Sequence, residues 1–152
     1  MPVFGLESLN RELNEQILEI LKSNQITFNY SPVSIIEIKW QVIKLSKSEI
    51  DEDLLEKNFS QALTSLKEDH RYNAIDFLDA KINDLSYELR KLGHEDYFDT
   101  IIASSALWEA NKFITENEPL KQIIKNYFKI NKEIYVNMVE LLSWEEFYSS
   151  MV

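Results

Sequence analysis

The chain has 152 residues, a length typical of one domain, and its 45 % hydrophobic and 12 % aromatic content is that of a folded protein. It has no cysteine, which excludes disulfides and thiolate metal sites. A formal net charge of −10 argues against a surface built for indiscriminate nucleic-acid binding, and no apolar run is long enough to span a membrane. We therefore expect a single cytoplasmic domain over residues 1–152 with no membrane contact.

Helical and strand patterns alternate in the first half of the chain. The predicted elements are a helix over 7–23, a strand Gln25–Tyr30, a helix from Val33 to about Leu45, and a helix from Ser48 to about Lys67. Ser31 and Pro32 suit the N-cap and the first position of the second helix. Ser48 is the predicted N-cap of the third helix.

The second half continues the alternation. Its predicted elements are a strand Tyr72–Leu78, a helix from Asp79 to Gly93, a helix beginning near Asp96, a strand Lys112–Thr115, a helix Leu120–Tyr127, a strand Glu133–Val136 and a final helix from Ser143. Ser143 and Glu146 fit the capping-box pattern. The alternation predicts an α/β fold, a three-layer sandwich with a mainly parallel central sheet.

Two segments carry acidic residues in unusual surroundings. Glu37 lies among isoleucines in S-I-I-E-I-K-W, which makes a poor solvated face, although composition alone would favour an exposed helical glutamate. Asp96 and Asp99 are three residues apart, so on a helix they share one face near its N-terminus, where the helix dipole favours carboxylates. The small and branched residues of Ile101–Leu107 predict that this helix lies close to a sheet.

Polar residues also follow the predicted strand Lys112–Thr115, in the run Glu116-Asn117-Glu118. In a parallel sheet, ligands bind at the carboxyl ends of the strands. Carboxylates crowded there would repel by about 4 kcal/mol per pair at about 4 Å, so a divalent cation would be needed to hold them together. Oxygen ligands without cysteine select Mg²⁺ or Mn²⁺, which predicts metal-dependent hydrolysis of a phosphodiester.

The sequence D-T-I-I-A-S-S-A-L from Asp99 to Leu107, followed by F-I-T-E-N, resembles the PIN-domain nucleases. The resemblance extends over roughly residues 5–136 and is specific around Glu37 and around Asp99. It implies a PIN-like fold, an Mg²⁺- or Mn²⁺-dependent endoribonuclease and RNA as the substrate. It also implies catalytic roles for Glu37 and Asp99.

The resemblance further implies a set of metal ligands. These are Glu37, Asp96, Asp99 and Asn117, where Asn117 stands in a position that many relatives fill with aspartate. Thr115 would be an orienting hydroxyl, and Glu118 a substitute ligand.

The start of the chain departs from the family pattern, because residues 1–5 resemble the piece that follows the family's first strand and its aspartate. Either Met1 is an internal start, which we expect, or the N-terminal strand is missing or replaced and one metal ligand is lost.

Three functions fit these observations. The leading expectation is a ribonuclease similar to the toxins of toxin–antitoxin pairs, which are usually homodimers silenced by a small antitoxin. The alternatives are an RNA-maturation nuclease and a catalytically impaired module that binds RNA or a protein. The aromatic residues, Trp108 among them, are expected to pack in the core or in interfaces and not to stack on bases.

Overall fold

A computed structural model describes residues 11–22, 26–47, 51–131 and 139–151. Its helices and strands, in chain order, are α1 Arg11–Lys22, β1 Phe28–Tyr30, α2 Pro32–Ser46, α3 Glu52–Glu68, β2 Tyr72–Ala74, α4 Ala80–Lys91, α5 Tyr97–Glu109, β3 Lys112–Ile114, α6 Glu118–Ile130, β4 Glu140–Leu142 and α7 Trp144–Met151. None of the helices in these ranges has the length and apolar character that crossing a bilayer requires.

The predicted three-layer α/β sandwich is wrong. Helices account for about 70 % of the described residues. The strands have three residues each and form two separate two-stranded sheets, β1–β2 and β3–β4. The described part of the chain therefore contains no central sheet. The predicted strand Tyr72–Leu78 stops at Ala74 because Asp76 turns the backbone: its carboxylate accepts from the Leu78 N–H at 3.1 Å, and its carbonyl accepts from the Asp79 N–H at 3.1 Å.

Both sheets are parallel. In the first, the Phe28 N–H donates to the Arg71 carbonyl at 2.7 Å, and the Phe28 and Tyr72 rings stack at 5.5 Å. In the second, Lys112–Ile114 pairs in register with Glu140–Leu142. The sequence did not predict strand β4, and the predicted strand Glu133–Val136 lies outside the described residues.

Several helix ends follow the local rules of capping. Pro32 begins α2, Asp79 is the N-cap of α4, and Gly93 follows α4 with a φ of +106°, which favours glycine. Helix α3 has Asp51 as its N-cap, through a bond from the Leu54 N–H at 3.2 Å, where the sequence predicted Ser48, a residue outside the described ranges. The capping box that opens α7 is confirmed by the bonds between Ser143 and Glu146, at 2.7 and 3.1 Å.

The chain divides into two compact units, residues 1–28 with 34–73 and residues 29–33 with 74–152. The single domain over 1–152 stays a prediction. In the first unit, buried apolar side chains come from α1, α2 and α3. Lys39 of α2 forms an ion pair with Glu56 of α3 and lies 4.8 Å from the centre of the Phe59 ring, which ties these two helices together. The Arg71 guanidinium donates to Asp69 and to the carbonyl of Leu21, so α1 is tied to the segment before β2.

The second unit has its core where α4, α5, β3 and α6 meet. The buried residues of this core are Leu85, Leu89, Ala103, Ala106, Leu107, Phe113, Leu120, Ile124, Tyr127 and Val139. The small residues of α5 were predicted to lie against a sheet, but they let α5 pack mainly against α4, and the helix contacts β3 to a lesser extent. The hydroxyls of Ser86 and Thr100 bond at 2.9 Å across the two helices. The buried Ser104 hydroxyl has no hydrogen-bond partner among the described residues.

Candidate metal and phosphodiester site

Asp99 is the best-anchored carboxylate of the predicted site. It lies in the first turn of α5, and its Oδ2 accepts from the Asn117 amide Nδ2 at 2.8 Å. His94 Nε2 lies 3.0 Å from the same oxygen. Because an ionised carboxylate can only accept hydrogen bonds, this contact requires the proton of the ring on Nε2. The Asp99 side chain keeps 30 % of its surface exposed, so solvent still reaches it.

Asp96 has a different task at the same helix end. It is the N-cap of α5, and its Oδ1 accepts from the backbone N–H groups of Phe98 and Asp99 at 2.9 and 3.2 Å. These bonds satisfy two of the unpaired N–H groups that every helix start leaves. The Asp96 side chain as a whole is exposed.

Asn117 joins two helix starts. It is the N-cap of α6, and its Oδ1 accepts from the Leu120 N–H at 3.0 Å while its Nδ2 donates to Asp99. The oxygen that was predicted to bind a metal thus already caps a helix. Thr115 Oγ1 accepts from the Asn117 N–H at 3.2 Å, which fixes the backbone just before the cap. Thr115 therefore orients Asn117, and Asn117 orients Asp99.

Glu118, the predicted substitute ligand, has its carboxylate engaged elsewhere. It forms an ion pair at 2.8 Å with the buried ammonium of Lys121, and this hydrogen bond raises the pKa of Lys121. Glu116 accepts from the Trp144 N–H at 2.7 Å, at the start of α7. Both glutamates after β3 thus hold neighbouring groups of the protein.

Two of the predicted ligands, Asp96 and Asp99, lie in the second unit at the start of α5, whereas Glu37 lies on α2 in the first unit. Asp96 and Asp99 each offer one carboxylate oxygen, and these oxygens lie within 4.8 Å of each other, so the pair could help to hold a metal ion. Carboxylates are the hard oxygen donors that Mg²⁺, Mn²⁺ and Ca²⁺ prefer, so the two residues fit such an ion. The choice of Mg²⁺ or Mn²⁺ belongs to the proposal below.

Sequence reasoning missed His94. The residue follows Gly93 and precedes the N-cap of α5 by two positions. A spacing of five between His94 and Asp99 is no helical period, so amphipathic patterns could not reveal the contact. The only available signal was the turn itself, because a helix end at Gly93 followed closely by a new N-cap folds the intervening residues back over the first turn.

No protein-family model matches the chain, and neither does any curated protein or solved structure to which it was compared.

Proposed function

We propose that this protein is a metal-dependent endoribonuclease that hydrolyses RNA phosphodiesters with Mg²⁺ or Mn²⁺. The observation that carries the proposal is the pair of carboxylates Asp96 and Asp99 at the start of α5, in which Asp99 is held in place by the neutral amide of Asn117. The resemblance around Glu37 and Asp99 supplies RNA as the substrate. A toxin and an RNA-maturation nuclease remain alternatives within this proposal.

The residues suit this chemistry because they fix carboxylates in advance. Asn117 and His94 donate to a single oxygen of Asp99, which sets the direction in which the other oxygen points. Asp96 is fixed by two backbone N–H groups in the same way. Groups held before the substrate arrives need no reorganisation when charge develops in the transition state. When bound, the divalent ion would polarise a phosphate oxygen and lower the pKa of an attacking water.

The test is cleavage of a labelled single-stranded RNA with Mn²⁺, with Mg²⁺ and with EDTA. We expect cleavage with either ion, none with EDTA, and a loss of at least about 100-fold in Glu37→Gln and Asp99→Asn, a size typical of lost electrostatic stabilisation. Glu88→Gln is a matched control, since Glu88 lies on α4 and bonds Lys91.

Calorimetric titration with Mn²⁺ completes the test. Native protein should bind the ion, and Asp99→Asn should bind it more weakly. Cleavage that survives in both Glu37→Gln and Asp99→Asn would refute the site, and absence of both cleavage and ion binding in the native chain would refute the function.

A second candidate is a module that binds RNA or a protein without cutting. The observation that favours it is that Asp99 Oδ2 already has two partners, so the carboxylate is stabilised without any cation. Binding of RNA with no cleavage under any divalent ion would support this candidate over the enzyme.

A further inference from the structure

Helix α2 leaves two large apolar side chains in solvent. Ile36 and Trp40 are each 57 % exposed, and their spacing of four residues places them on one face of the helix. Val42 lies on the opposite face and is fully buried. Helix α2 is therefore apolar on both faces, whereas the outer face of a helix at a protein surface is usually polar.

The same outer face of α2 is basic. Lys44 lies one turn after Trp40, with its ammonium 5.7 Å from the centre of the Trp40 ring, and Lys47 follows three residues later. Both lysines are exposed, and neither forms an ion pair with any residue that the structure describes. The acid of α2 itself, Glu37, is half-buried, and the next described acid in the sequence, Asp51, caps α3. In a chain of net charge −10, this face is a local excess of positive charge.

Helix α1, which belongs to the same compact unit, has the opposite charge on its exposed face. Glu12, Glu15 and Glu19 are exposed there beside Leu18, which is 48 % exposed, and Lys22 adds a positive charge in the last turn. One unit thus presents a basic apolar face on α2 and an acidic apolar face on α1. A second copy of the chain carries the complement of each face.

We propose that two copies of this chain associate, with α2 of each copy packed antiparallel against α1 of the other. In this register Leu18 of one copy covers Trp40 of the other, and Glu15 lies beside Lys44. Two such contacts related by a two-fold axis close a dimer. A tryptophan covered by an apolar side chain and surrounded by charged residues has the character of an interface anchor. This inference goes beyond the proposed function and does not rest on it.

The direction of the two helices follows from their charges. A parallel arrangement with the same apolar contact would bring Lys22 of one copy beside Lys44 of the other, and like charges repel. The antiparallel arrangement moves Lys22 away from both lysines of α2 and brings Glu12 near Lys47. The spacings agree, since Glu12 lies six residues from Leu18 and Lys47 lies seven from Trp40, or about 9 and about 10.5 Å along a helix.

Sedimentation equilibrium of the whole chain tests the association. Native protein should form dimers whose dissociation constant rises with salt, because opposite charges meet at the contact. Trp40→Ala should raise that constant by at least about 30-fold, the size expected for an aromatic anchor. Tyr87→Ala is the matched control, since Tyr87 is 59 % exposed and lies on α4 in the second unit, and it should leave the constant unchanged. Far-ultraviolet circular dichroism checks that each variant is folded.

A charge swap tests which residues meet. Lys44→Glu and Glu15→Lys should each weaken self-association, because each places like charges at both contacts of the dimer. A mixture of the two variants should associate more tightly than either variant alone, because one contact then holds the swapped ion pair and the other the native pair. A mixture that associates no better than the separate variants would refute the pairing.

Crosslinking tests the register, and the chain suits it because it contains no cysteine. Glu15→Cys mixed with Lys44→Cys should form a disulfide between chains when the thiols are oxidised with diamide, whereas Lys22→Cys mixed with Lys44→Cys should form far less. Equal crosslinking of the two mixtures would refute the antiparallel register.

The dimer itself is refuted if native protein is a monomer at every concentration, which would assign the outer face of α2 to a partner other than this chain. It is also refuted if association continues beyond the dimer, or if Tyr87→Ala weakens it as much as Trp40→Ala. None of these results bears on RNA cleavage, so the dimer and the nuclease stand or fall separately.

Discussion

Two substitutions of Asn117 measure how much each of its two hydrogen bonds contributes to stability. Asn117→Ala removes the N-cap of α6, at a cost of about 1 kcal/mol, and the bond to Asp99. A bond to a charged group contributes about 1.5–3 kcal/mol, and we take about 1.5 because the Asp99 side chain is 30 % exposed and water can replace the lost donor. The sum is about 2.5 kcal/mol, or a fall in melting temperature of roughly 5–10 °C for a chain of this size.

Asn117→Ser distinguishes the two bonds. Serine caps a helix well but is too short to reach Asp99, so the loss should shrink to about 1.5 kcal/mol. Urea unfolding in EDTA, followed by far-ultraviolet circular dichroism, measures both values. Asn131→Ala is the control, since Asn131 ends the same helix and its amide donates to the nearby Tyr127 carbonyl, at 3.1 Å. Losses in both Asn117 variants within about 0.5 kcal/mol of the control would refute the assigned geometry.

Three further predictions concern stability and use the same unfolding measurement. Ile124→Ala, at a fully buried core position, should cost about 2–5 kcal/mol, and a loss under about 1 kcal/mol would contradict the packing. Ser143→Ala should cost about 1 kcal/mol by removing the cap of α7, and Glu145→Gln beside it should be near neutral. The Arg71 hydrogen bonds lower the pKa of Asp69 from 3.8 to about 2, so its stabilising effect is full above about pH 4 and is lost as the pH falls towards 2. Asp69→Asn should remove that part of the acid dependence, and an unchanged acid profile would contradict it.

Helix ends were predictable from the sequence because capping is local. Asp79, Gly93, Ser143 and Glu146 act on backbone groups within a few residues of themselves, so a short window contains the whole interaction. The prediction failed at Ser48, where the acids after it offered a competing cap three residues later.

Sheet architecture was not predictable in the same way. Strand β4 pairs with Lys112–Ile114, which lies far away in the sequence. Three residues also show too little alternation of apolar and polar side chains to predict a strand. A central sheet also needs inner strands that pair on both sides, whereas each described strand has one partner.

Part of the candidate site could be predicted from the sequence. Glu37, Asp96 and Asp99 stood out in the sequence because of their neighbours, and the structure brings the carboxylate oxygens of Asp96 and Asp99 within 4.8 Å of each other. The hydrogen-bond partners of Asn117 and Glu118 could not be predicted from the sequence, because they depend on where the next helix starts.

The short segment Thr115–Asn117 has a consequence for local motion. Glu116 accepts a hydrogen bond from the Trp144 N–H at the start of α7. Asn117 caps α6 and donates to Asp99 on α5, so this three-residue segment is hydrogen-bonded to the starts of three helices. Such a segment cannot open at one helix without loosening the others, and amide protons at the starts of α5, α6 and α7 should exchange with solvent cooperatively. A partner that pulled on α7 would thereby disturb a carboxylate on α5 that it never touches.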